Sequence, residues 1–401
     1  MTISDNHNRT AKLEATLTIV EISIAANAAN CYIVAPGSTL TIKAVEGNST
    51  TELDFNNAAL VWQDALGMVK SVSANSTEKV VVVQLNPGIA GNAVVAAKLD
   101  DVIVWSWHVW VADYDPMSDP FVWTDKSTGT SYTFMDRNLG AKNAKKYDAG
   151  ALGLLYQWGR KDPFPAAPTL TGTTATVGAP IYDGDDNEIK ITNSSQSSTA
   201  DNNLAFAIAN PTVCLSNYAQ FNTSRDWLQA DMSNDALWGN PKGAERNETN
   251  DFLNKGAKSF YDPCPVGWRV PPADVFRNFT ASGGYAWVID DFDIADISGD
   301  GAKSLADYDY GWTFNLSDSA SSYFPAAARF DGSYAMLMGS MSGLWGSYWG
   351  NAPYPGDMFQ GGAYSVLSFQ IKDTAGNEMI TTSPAGGGAR ADAYSVRCIR
   401  E

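Results

Sequence analysis

Between residues 339 and 369 the chain reads GSMSGLWGSYWGNAPYPGDMFQGGAYSVLSF, which sets Trp345, Tyr348, Trp349, Tyr354, Phe359 and Tyr364 among glycines and small polar residues. Aromatic faces beside hydroxyl and amide groups are recognition chemistry: the rings stack on a sugar face or a protein epitope, and the polar atoms fix its orientation. Trp345 and Trp349 are assigned to the core. Ser347, Tyr348, Asn351, Tyr354, Asp357 and Phe359 are expected to be exposed and to touch a ligand.

Bond-making chemistry is harder to assemble from this chain. The only histidines are His7 and His108, so neither a Ser-His-Asp nor a Cys-His arrangement can be built, and imidazole ligands for zinc are nearly lacking. Two acid-rich runs, DGDDNE at 183–188 and DDFDIADISGDG at 290–301, could lend oxygens to a calcium ion, which takes about six to eight of them. Neither fits the spacing of a helix-loop-helix calcium loop, so both are read as solvated acidic loops and no cofactor is expected, calcium being the one ion they could serve. No signal selects a pair of carboxylates for glycoside hydrolysis, and catalysis is not expected. Four cysteines, Cys31, Cys214, Cys264 and Cys398, contain no CxxC pair and permit three disulfide pairings.

Elements must hold these residues in place, and composition limits which. At 401 residues the chain can bury two or three cores. With 44% hydrophobic and 18% charged residues and abundant Gly, Trp and Tyr, it suits compact β-rich structure rather than disorder or helical bundles. A net charge of -17 repels phosphate backbones, which argues against nucleic acid, and no apolar run approaches the about 20 residues of a membrane span. From residue 12 to 115, after a short flexible N-terminus at 1–11, LEATLTIVEISI, NCYIVA, STLTIKAV, ALVWQD, KVVVVQL, NAVVAAKL and VIVWSWHVWVA read as strands of an all-β Ig-like sandwich. In the last of these, Trp105, Trp107, Val109 and Val111 form an apolar face, and Ser106, His108, Trp110 and Ala112 a mixed one. DYDPMSDP at 113–120 interrupts the pattern and marks the boundary to a second domain, 116–401. There the stretch 160–188 shows no period and is expected to be an exposed excursion. Short helices are expected over 224–233 and from Pro272 onward, and strands over YSVLSFQIKD and AYSVRCIRE.

Five pieces in order, FMDRNLGA, LLYQWGRKDPF, DPCPVGWRVPP, YFPAAARFDG and SVRCIRE, resemble the FISUMP family of bacterial surface proteins. That resemblance implies an α+β C-type-lectin-like C-terminal domain and a disulfide between Cys264 and Cys398, which in turn implies an oxidising compartment. Closing so long a loop would contribute ~4 kcal/mol in the chain-entropy model. Cys31 and Cys214 stay unassigned. The segments ANCYIVAPG and WSWHVWVADYDP resemble the modules that precede such domains in fimbrillin-type pilus proteins, where they serve as a stalk or assembly domain. The placement of residues 339–369 is also similar to the diversified region of retroelement-driven variable proteins. Together these imply an extracellular or cell-surface adhesin with its signal peptide removed, binding a protein or glycan ligand on another cell or host surface and in contact with other pilus subunits. A structural fimbrial or surface-layer subunit is the second reading, and a carbohydrate-active enzyme the third.

Overall fold

The computed structural model describes residues 2–4, 10–12, 22–24, 28–118, 120–124, 128–194, 203–216, 226–228, 234–248, 251–276, 279–280, 289–317, 320–334, 336–354, 362–370, 379–382 and 387–401. It is mostly β-sheet, and Asn203–Ala209 is the one α-helix among those residues. In the first part, Ile22–Ile24, Thr39–Lys43, Val80–Leu85 and Val69–Asn75 form one sheet in that order. A second sheet runs through Asn57–Gln63, Gly91–Leu99, Val102–Val111 and Cys31–Val34. Side chains that alternate inward from both sheets, among them Leu40, Ile42, Val81, Val83, Val95, Trp105, Trp107 and Val109, make a shared core.

The mixed face of Val102–Val111 is buried as well. Ser106, His108 and Trp110 are each about fully covered, and Trp110 joins a core with Tyr156, Trp158, Trp349 and Val396 from the second part of the chain. Strands Ile181–Tyr182 and Glu188–Ile189 extend the second sheet through the pairing of Tyr182 with Gln63. The exposed excursion expected at 160–188 is corrected for its first residues: Arg160, Lys161, Asp162, Phe164, Ala166 and Ala167 are buried at the seam between the two parts, whereas 168–188 is exposed or half-buried apart from Ile181 and carries only those two short strands.

At that seam Lys161 donates to both Asp162 carboxylate oxygens, at 2.8 and 3.0 Å, and to the hydroxyl and carbonyl of Ser106, while Ser106 donates to Asp162 at 2.6 Å. The ammonium lies 4.7 Å from the centre of the Trp105 ring. A buried ion pair is tolerated only when its remaining donors and acceptors are filled in this way.

In the second part the largest sheet runs Phe164–Pro165, Leu154–Gln157, Ala393–Ser395, Trp345–Pro353, Gly362–Gln370 and Met379–Thr382. A smaller one runs Phe121–Thr124, Ser131–Phe134, Ile399–Arg400 and Trp268–Arg269. Cys264 and Cys398 are bonded, their Cα atoms 6.1 Å apart across 134 residues. The turn that carries Cys264 is fixed by Asp262, which accepts from the backbone of Cys264 and Val270, and by Asn30 of the first part, which donates to the carbonyls of Phe260 and Asp262. Cys31 and Cys214 are buried free thiols.

Neither expected helix forms among the described residues. Residues 226–228 are a bend, the rest of 224–233 lies outside the described residues, and 273–276 make a turn. In that turn Val275 and Phe276 face a separate core made with Phe134, Phe314, Phe324 and Phe369, the second core of this part of the chain, while buried Asp274 pairs with Lys255.

Candidate functional site

Strand Trp345–Pro353 lies inside the largest sheet, between Gly362–Gln370 and Ala393–Ser395, so both of its faces are covered. Trp349 is buried in one core, donates to the Tyr156 carbonyl at 2.7 Å and stacks on Tyr394 at 4.1 Å; Trp345 is half-buried under Arg329. The exposure expected of Ser347, Tyr348 and Asn351 is corrected: all three are buried and their polar atoms are satisfied internally. Ser347 accepts from the Trp345 indole and shares a hydrogen bond with Ser368. Tyr348 donates to the Pro325 carbonyl at 2.8 Å, and Asn351 accepts from Asn240 while donating to the Lys255 carbonyl. Tyr354 is half-buried against the second core. Asp357 and Phe359 lie outside the described residues.

A different set of residues surrounds open space. A cleft of about 600 Å³ lies between strand Phe121–Thr124, the loop that follows FMDR, and the hairpin Gly311–Ser317 with Ala320–Pro325. The hairpin register pairs Trp312 with Phe324, Thr313 with Tyr323 and Asn315 with Ser321. Alternation therefore sends Trp312, Phe314 and Phe324 into the second core and leaves Thr313, Ser321 and Tyr323 on the cleft, while Ser322, on the core side of its strand against Arg397, still borders the cleft. Tyr323 is anchored, its hydroxyl donating to the carbonyls of Asp309 and Tyr310 at 2.7 and 3.2 Å, and burial raises its pKa.

The wall is set by charge. Asp136 holds the Arg137 guanidinium with two bonds of 2.8 Å, and that guanidinium sits 3.8 Å over the Tyr114 ring. Lys146, on the opposite wall, lies 3.4 Å from the Asp309 carboxylate, which also accepts from the Tyr147 hydroxyl. Tyr147 is 65% exposed and meets Tyr310 edge to face at 6.0 Å. Both tyrosines hold positive φ, 60° and 57°, a conformation that costs an L-residue about 1–3 kcal/mol and persists where surrounding contacts over-determine it.

Beneath the floor lies Arg397, 1% exposed. It donates to the Asn138 side-chain oxygen at 2.9 and 3.1 Å, to the carbonyls of Asp136 and Tyr323 at 3.3 and 2.8 Å, and to the Ser322 hydroxyl at 2.9 Å. Its guanidinium lies 3.9 Å from the Phe324 ring centre. The adjoining Cys398 and strand Ile399–Arg400 hold it there, and the Met135 and Leu139 amides bond to the carbonyls of Cys398 and Val396.

No motif in the sequence marks Arg397, Ser321, Ser322 or Tyr323 as site residues, although SVRCIRE and YFPAAARFDG carry the first and last of them. The available signal was the hairpin alternation in GWTFNLS and ASSYFP. Elsewhere, His108 is buried, shares a hydrogen bond with Asn92 at 2.9 Å, and is pushed down to about 3 by burial. The carboxylates of Asp183, Asp296 and Asp300 accept from nearby backbone amides, and no cluster of metal-ligating side chains occurs among the described residues. No helix among them is long and apolar enough to cross a membrane. No family model, curated protein or solved structure matches the chain.

Proposed function

We propose that this chain is a secreted or surface-displayed bacterial adhesin without catalytic activity. An Ig-like N-terminal sandwich is fused to a C-type-lectin-like domain, and a glycan binds in the cleft between Phe121 and Tyr323. The observation that carries the reading is the cleft: a hydroxyl-lined floor on a hairpin locked into the core, with exposed Tyr147 next in the chain to the lining residue Lys146. Its volume of about 600 Å³ lies within the roughly 300–1,000 Å³ of small-ligand pockets and suits a ligand of one or a few sugar rings. Ser and Thr hydroxyls match sugar hydroxyls as both donors and acceptors, and an exposed tyrosine supplies a stacking face. The Cys264–Cys398 bond favours an oxidising compartment.

Recognition here would be pre-paid in order, since the floor and wall are already fixed by hydrogen bonds and lose little freedom on binding. The test is a glycan array on the full chain, followed by calorimetric titration of the strongest hit against wild type and Tyr147→Ala. Loss of a stacking ring is expected to weaken binding about tenfold with the melting temperature nearly unchanged. An array without hits, or equal affinities for the two proteins, rejects the reading.

A further inference from the structure

Arg397 is a cation placed under a ligand site without a counter-charge of its own. Every acceptor it uses is neutral, and no carboxylate lies within ion-pair distance of it among the described residues. Three of its acceptors, the Asp136 carbonyl, the Ser322 hydroxyl oxygen and the Tyr323 carbonyl, belong to residues that line the cleft. Because Ser322 spends its oxygen on Arg397, its own hydrogen is left to donate, and it donates to no group among the described residues. A hydroxyl polarised by a guanidinium is a strengthened donor, and the acceptor it lacks is one a ligand can bring.

The rest of the charge around the cleft points the same way. Asp136 is neutralised by its two bonds to Arg137, and Asp309 by Lys146 and the Tyr147 hydroxyl. The loop contributes Lys145 as well, exposed and in no ion pair among the described residues. Among these side chains four cations, Arg137, Lys145, Lys146 and Arg397, stand against two carboxylates, Asp136 and Asp309, in a chain of net charge -17, and low-dielectric walls focus the field of such a balance into a cleft.

We propose that the cleft selects an acidic sugar, whose anionic oxygens sit against Lys146 and the Ser322 hydroxyl while its ring hydroxyls meet Ser321 and Thr313. The proposal rests on the glycan reading above and names its ligand class. A uronate carboxylate and a sulfate ester share this chemistry, so the test carries both. Full-length protein is titrated with matched pairs: oligogalacturonate against its methyl ester, sialyllactose against lactose, and a sulfated galactan oligosaccharide against its desulfated form.

At least one acidic member is expected to bind about tenfold tighter than its neutral partner, and the gap to shrink severalfold as salt rises from about 0.05 to about 0.5 M. Lys146→Gln and Ser322→Ala should each narrow that gap, with Lys145→Gln as the variant least able to disturb folding. Equal binding of every pair, or a gap untouched by salt and by all three variants, overturns the proposal, while binding of neutral glycans leaves the broader reading in place. If no glycan binds at all, acidic or neutral, both fall.

Discussion

Tyr348 shows how a residue suited to ligand contact becomes scaffold. Its ring lies among Phe276, Phe324 and Phe369, and its hydroxyl donates to Pro325 and accepts from Asn138. Tyr348→Phe should lose about 1–3 kcal/mol of stability in urea titration, because Asn138 and the Pro325 carbonyl are left buried and short of a partner. Glycan affinity at saturating fold should stay within about twofold of wild type; a large affinity loss in folded protein would return Tyr348 to the site. His108 carries a different signature. Its folded pKa of about 3 lies below the ordinary 6.5, so the unfolded chain binds the extra proton first, and His108's contribution to stability is full above 6.5 and lost as pH falls toward 3. Between pH 7 and pH 5 the wild type should lose about 2 kcal/mol from this group alone. A His108→Gln variant, which keeps an amide to face Asn92, should show a flatter profile over that window; parallel profiles would mean that His108 does not titrate as described.

At the scale of elements, the strands of the first part were legible because each alternates apolar and polar residues over five to ten positions, as Thr39–Lys43 and Val102–Val111 do. Val69–Asn75 was not, since VKSVSAN offers only Val69, Val72 and Ala74, half-buried against the core, and pairs at a sheet edge. Trp345–Pro353 misled for a physical reason: a strand buried on both faces and rich in glycine has the same composition as an exposed aromatic loop, and its place in the sheet is set by partners distant in sequence. The cleft was unread for the same cause, since it arises only when residues 121, 136, 146 and 322 meet. The expected helices had capping residues and few turns to propagate, which tertiary contacts override. The turn at Gly343 offers an element-scale check. Gly343 holds φ 71°, and an added Cβ would run into the Leu170 carbonyl oxygen and the Tyr310 ring. Gly343→Ala should therefore cost about 1–3 kcal/mol and weaken glycan binding by displacing Tyr310 from Tyr147; a neutral melting temperature would show that this turn yields freely.

Across the whole molecule, the contacts between the two parts should make them unfold together. The Lys161–Asp162–Ser106 set, the Asn30 bonds to the Cys264 turn and the strands joining Gln63 all cross between them. Calorimetry should show one cooperative transition; two well-separated peaks would mean that the seam contributes little. Replacing both Cys264 and Cys398 by alanine should cost roughly 2–5 kcal/mol, read as a lower midpoint in denaturant titration. That bond also decides where tension goes. A pull entering the chain beyond Cys398 passes through sulfur directly to Cys264, bypassing the segment between them, a sequence separation of 134. The hairpin and Arg397 lie within that bypassed span, while the facing residues 120–122, 136, 144 and 146 precede it, so a molecule stretched through that bond would strain its attachment before it deformed the hairpin side of its grip.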